Sequence, residues 1–125
     1  MNHEYIRFCI DHPEIQQWWS AEKRGVGDRF VIAGTGILGT IVSVAVIPRG
    51  YVWVLDIKSE RENYRSCDQN PFDKGWYIFL PSIVHIMHLY RDEVITSKQM
   101  EQMIRLFGFD GKRKKWVYDD KPWHM

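Results

Sequence analysis

The sequence predicts an α+β fold, with helices at the N-terminus, a small antiparallel β-unit in the middle, and two helices ahead of a strand-like tail. Three observations lead there. β-Branched residues crowd positions 40–47 and give way, after Pro48-Arg49-Gly50, to an alternating run. Helix-start signatures stand at Ser82 and at Thr96 with Gln99. The 125 residues amount to one domain, able to bury roughly two-thirds of the unfolded surface in a single core. Residues 1–25 are expected to be helical, 28–80 to form the β-unit, 81–108 a helical pair and 109–125 an aromatic and basic tail.

The N-terminal helix is expected in two pieces. Asn2 can cap a turn carrying Tyr5, Ile6 and Cys9, and Asp11 followed by Pro13 marks a second start, because proline is tolerated where the first helical N–H has no partner. Ile15, Trp18, Trp19 and Glu22 continue at helical spacing to Gly25. Adjacent tryptophans point ~100° apart on a helix, so one of the two belongs at the edge of the core or at an interface.

From Gly27 the period changes. Residues 28–33 read as a short strand, glycines 34, 36 and 39 punctuate the next stretch, and 40–47 read as a second strand. Pro48-Arg49-Gly50 is a turn signal. Tyr51 to Ile57 then alternates, with Tyr51, Trp53, Leu55 and Ile57 on one face. Residues 58–75 are polar and read as a long loop with an edge strand near Tyr64, and its carboxylates Glu60, Glu62, Asp68 and Asp73 are most simply solvated. Trp76 to Leu80 is a short strand ended by Pro81. The following helix is expected to bury Ile83, Ile86, Met87 and Tyr90, and the next one Met100, Met103, Ile104 and Phe107, with Gly108 as its stop.

Composition narrows the function classes. Lys+Arg 17 against Asp+Glu 16 gives the whole chain no strong pull toward nucleic acid or an anionic membrane. The apolar stretch 37–47 is far short of the ~20 residues a membrane span needs. No secretory leader pattern precedes Cys9, so Cys9 and Cys67 are expected as reduced thiols in a cytoplasmic protein. No cofactor and no metal are expected. His85 and His88 share a helical face, with Asp92 the one nearby carboxylate, which leaves a zinc site under-coordinated unless His3, His12 or His124 folds over it. No Gly-x-Ser-x-Gly elbow or other spacing singles out a nucleophile, and a non-catalytic role is expected.

Gly34-Thr35-Gly36-Ile37-Leu38-Gly39 is a literal G-x-G-x-x-G after a plausible strand, and Asp56 lies seventeen residues past its last glycine. On a dinucleotide-binding reading, Gly34, Gly36 and Gly39 cradle a pyrophosphate at a helix N-terminus and Asp56 takes a ribose hydroxyl. That reading needs 37–47 to be a helix despite its β-branched residues and Pro48, and it leaves too few strands for a parallel sheet. The hairpin reading is preferred and the dinucleotide reading is the alternative. A second alternative is nucleic-acid binding by the tail, where Lys112, Arg113, Lys114 and Lys115 stand beside Trp116, offset by Asp110, Asp119 and Asp120.

The segment Val26-Gly27-Asp28-Arg29-Phe30-Val31-Ile32, with Gly39 to Val44 and Tyr51 to Asp56, resembles the opening of an SH3-like barrel of the KOW type, which implies a small antiparallel barrel or sheet. In its order of parts the chain is also similar to small tailed-phage and prophage proteins, carried by Gly27-Asp28, Phe79-Leu80-Pro81-Ser82-Ile83, Gln102-Met103 and Gly111 to Trp116. That resemblance implies a source and no activity.

The outlying number is aromatic content, 14% with six Trp, six Tyr and six Phe. Trp18, Trp19, Trp53, Trp76, Trp116 and Trp123 supply more large rings than a core of this size needs, which points to an interface. The expected role is therefore a non-catalytic binding protein of phage-accessory or host-interaction type, anti-defence included. It would act on a protein partner, a second copy of itself or a small nucleotide signal, with nucleic acid the lesser candidate and no membrane.

Overall fold

The structure is a computed structural model that describes residues 3–58, 62–110 and 115–116. It is α+β, as the sequence predicts. Two short helices, α1 (His3–Asp11) and α2 (Pro13–Trp18), lead into strands β1 (Arg29–Ile32), β2 (Leu38–Ile47), β3 (Gly50–Lys58) and β4 (Glu62–Cys67). A one-turn helix α3 (Asn70–Asp73) precedes β5 (Tyr77–Phe79), and α4 (Ile83–Arg91) and α5 (Ser97–Phe107) come next. Short strands β6 (Phe109–Asp110) and β7 (Lys115–Trp116) pair with each other. Among the described residues no helix is long and apolar enough to cross a membrane.

The main sheet is antiparallel in the order β4-β3-β2-β1-β5. It is open, with β4 and β5 at its edges, so the closure expected of an SH3-like barrel is not made. The outer edge of β5 is occupied instead by a side chain. Gln16 accepts from the Phe79 amide through Oε1 at 2.7 Å and donates through Nε2 to the Phe79 carbonyl at 3.1 Å, taking both groups that Phe79 would offer a further strand.

Local rules explain most of these elements. The turn after Ile47 closes the β2–β3 hairpin on Gly50 at φ +130°. Val42 is the extra residue of a bulge between Ile41 and Ser43, which keeps Ile41 and Val44 both opposite core residues of β3, Leu55 and Trp53. Thr96 and Gln99 form the reciprocal capping box the sequence predicts, and Gly108 ends α5 in the left-handed region at φ +115°.

Two expectations are corrected, and the preferred hairpin is confirmed. The polar segment after Lys58 holds the edge strand expected near Tyr64, with β4 paired to β3 from Trp53↔Cys67 to Lys58↔Glu62, and the rest of the expected loop contains the one-turn helix α3. An edge strand needs only one buried face, which is compatible with so polar a composition. Helix α4 buries Ile86 and Leu89, while Met87 and Tyr90 face outward. The run 38–47 is strand, as the preferred hairpin reading requires, so no helix succeeds the glycine-rich turn.

Arg24 lies over Phe72, Trp19 and Trp53 at 4.2, 5.1 and 5.1 Å from the ring centroids, where burial lowers its pKa below the ordinary value. Cys9 and Cys67 are free thiols. Burial pushes Cys9 up to about 12 and Cys67 up to about 11.

Gly39 faces Phe30 across the β1–β2 pair, and a Cβ there would overlap the ring. Phe30 is fully buried against Tyr77 and Phe72, so it has nowhere to retreat. Gly39→Ala is expected to cost about 1–3 kcal/mol of stability in urea denaturation. Phe30→Leu on that background should recover part of the loss; simple additivity of the two changes would contradict the ring-seat account. The Cys9 thiol holds its proton in the folded state from pH 9 to about 12, where the unfolded chain releases it. Its contribution is present below pH 9 and lost as pH rises toward 12. The unfolding free energy should therefore fall more steeply in that window for the wild type than for Cys9→Ala, and parallel curves would refute the assignment.

Candidate functional site

One buried carboxylate organises the site. Asp28, 6% exposed, is the single buried charged residue among those described. Its Oδ2 accepts from the Trp19 indole at 2.9 Å and from the Gly25 amide at 2.9 Å, and its Oδ1 meets His85 Nε2 at 3.0 Å. On its other side the imidazole is fixed by Ser82. The Ser82 amide donates to Nδ1 at 3.1 Å, and its hydroxyl lies 2.7 Å from the same nitrogen. Nδ1 is thus the acceptor and Nε2 carries the proton toward Asp28.

Asp28, His85 and Ser82 are the residue types of a nucleophilic triad, but their arrangement differs. The carboxylate meets Nε2 and the hydroxyl meets Nδ1, the reverse of the serine-protease order. The Ser82 hydroxyl also accepts from the His85 amide at 3.3 Å as the N-cap of α4. The chain of bonds accounts for the start of a helix, and we assign it that role.

Beside this network lies a half-open cleft of about 500 Å³, within the size range of small-molecule sites. Val84, His85, His88 and Arg91 form one wall because residues three and four apart share a face of α4. Trp18, Lys23, Val26, Asp28 and the first residue of β1, Arg29, form the other, with Leu80 and Phe107 adding apolar surface. Lys23, Arg29 and Arg91 are its permanent cations. Burial pulls Arg29 down to about 10, which still leaves it charged at neutral pH. Against them stand two carboxylates, both already hydrogen-bonded. Asp92 accepts from the Trp18 indole at 2.9 Å and from Arg91 Nε at 3.1 Å, and lies 3.8 Å from Lys23 Nζ. The Trp18 and Arg91 bonds, together with the neighbouring Arg91 and Lys23 charges, hold its carboxyl below the usual range. The arrangement can bind an anion beside apolar surface.

The residues singled out in the sequence are dispersed. Trp19 and Trp53 are enclosed in the core, so neither ring is open to a partner. Trp18 stands at the cleft, with Lys23 Nζ 4.4 Å from its ring centroid. Trp76 is 51% exposed under Lys74. The side chains of Lys115 and Trp116, and residues Glu60, Lys112, Arg113, Lys114 and Trp123, lie outside the described residues.

Gly34 and Gly36 sit in the β1–β2 turn at φ +78° and +72°. The neighbouring amides are spent inside that turn, Thr35 N on the Ile32 carbonyl and Ile37 N on Thr35 Oγ1. Gly39 seats the Phe30 ring, and Asp56 lies in β3 with Oδ2 on Lys58. The dinucleotide fingerprint is therefore not formed, because its phosphate cradle requires a helix N-terminus and the chain supplies a strand.

Sequence reasoning placed His85, His88 and Asp92 on one helix face, but missed their companions Lys23, Asp28, Arg29 and Arg91. The local signals were Gly27-Asp28 at a strand start and Ser82-x-x-His85. Among the described residues no three His, Cys, Asp or Glu side chains are grouped to hold a metal. No family model, characterised protein or solved structure matches the chain.

Removing the buried acceptor strands three donors. Asp28→Ala is expected to cost about 3–5 kcal/mol in urea denaturation, against ~1 kcal/mol for the Ser82→Ala loss of a cap. An Asp28→Ala penalty as small as that of Ser82→Ala would overturn the network's structural role.

Proposed function

We propose that the protein is a non-catalytic binding protein whose cleft beside Asp28 and His85 takes a small anionic ligand. The observation that carries this reading is the convergence of Lys23, Arg29 and Arg91 on one cleft whose two carboxylates are already hydrogen-bonded. A nucleotide signal belongs to this chemical class. An accessory role in a phage–host setting is supported only by the order of parts along the sequence.

A protein interface is the second reading, favoured by one observation. Val26, Val84 and Met87 are 68%, 62% and 49% exposed, and the first two line the same cleft. Exposed apolar side chains beside a cleft are where a protein partner could be seated.

Titration of 15N-labelled protein with inorganic phosphate and with AMP, in a phosphate-free buffer at low salt, separates the two. Shifts are expected at the Gly27, His88 and Arg91 amides. Lys23→Glu or Arg91→Glu should weaken binding by about tenfold, equivalent to ~1.4 kcal/mol. An unperturbed cleft at saturating concentrations of both probes would remove the anion reading and leave the protein interface.

A further inference from the structure

Asp92 is placed where the helix itself does not favour it. It is the C-cap of α4, facing the negative end of the helix dipole, where a cation is preferred. Glu93 comes next, in the left-handed region at φ +60°, the position usually taken by glycine. Two successive acidic residues thus break local helix-end preferences, and the first of them, Asp92, lines the cleft. What Asp92 gains in exchange is contact with the cleft's own machinery: the Trp18 indole, Arg91 and Lys23.

Those partners are the groups an anionic ligand would use. Building on the anion-binding reading above, we propose that Asp92 occupies the ligand's place in the free protein and that the cleft is matched to a phosphoryl group. A ligand can take Lys23 and Arg91 from a resident carboxylate only by offering more. A carboxylate brings one charge and two acceptor oxygens, no better than Asp92 itself. A phosphate monoester brings a charge of about −1.5 to −2 at pH 7 and three acceptor oxygens. Arginine adds a planar fork that suits phosphate and can engage it bidentately. The carboxylate acts as a threshold that admits phosphoryl groups and turns away simple carboxylic acids.

The test compares wild type with Asp92→Asn, which keeps an oxygen for the Trp18 indole and removes the charge. Dissociation constants are measured for inorganic phosphate and for acetate at low salt. Wild type should bind phosphate and discriminate against acetate. Asp92→Asn should bind phosphate about tenfold more tightly and gain acetate binding, on the scale of removing one competing charge. Equal or weaker phosphate affinity in Asp92→Asn would overturn the stand-in role. Failure of both proteins to bind either anion would overturn the anion-binding reading itself. The Trp18 indole resonance gives a readout in unmodified protein: it should shift as phosphate saturates and Asp92 is released, and an unmoved resonance at saturation would refute displacement whether or not the variant folds.

Discussion

The Asp28 carboxylate is the interaction on which the rest of the structure depends. A buried charge in a small domain is tolerated only when matched by donors, and here the donors come from three separated stretches: Trp19, Gly25 and His85. The helical N-terminus, the entry to β1 and the start of α4 are thereby fixed to one another. Trp19, once aimed at Asp28, stacks on Phe79 with centroids 4.6 Å apart, and Gln16 in the adjoining α2 reaches the Phe79 backbone. His85, held between Asp28 and Ser82, sets how α4 presents His88 and Arg91 to the cleft. Scaffold and candidate site share one anchor, so a change at Asp28 is felt in both.

The surplus of aromatic residues has two destinations. Trp19, Trp53, Phe30, Phe72, Tyr77 and Phe79 form a layer over one face of the sheet, closed by the Arg24 guanidinium. Trp18 and Trp76 remain at the surface. Ring count alone did not distinguish the two fates, because a ring on an amphipathic helix and a ring on an alternating strand are equally suited to bury or to protrude.

What was legible in the sequence was local. The Thr96–Gln99 box, the Gly108 stop, the Pro13 start and the hairpin on Gly50 each depend on residues within a turn of one another. What was not legible was long-range. Asp28 and His85 have no local reason to meet, and the rotation of α4 that buries Leu89 and exposes Met87 is set by packing on α5 and the sheet. The three glycines teach the same point. Gly34 and Gly36 serve backbone angles in a turn, and Gly39 serves a ring from the neighbouring strand; the spacing that resembles a nucleotide cradle arises from two unrelated demands.

The Gln16 clamp on Phe79 gives the sheet a direction. Both outward backbone groups of Phe79 are taken by an amide side chain, while β4 on the opposite side has β3 as its one described neighbour. Extension of the main sheet by a strand from another chain is thereby obstructed at Phe79 and left open along β4. That side is the far end of the sheet from β1, whose first residue borders the cleft, so assembly through backbone pairing and ligand capture would proceed on separate ground.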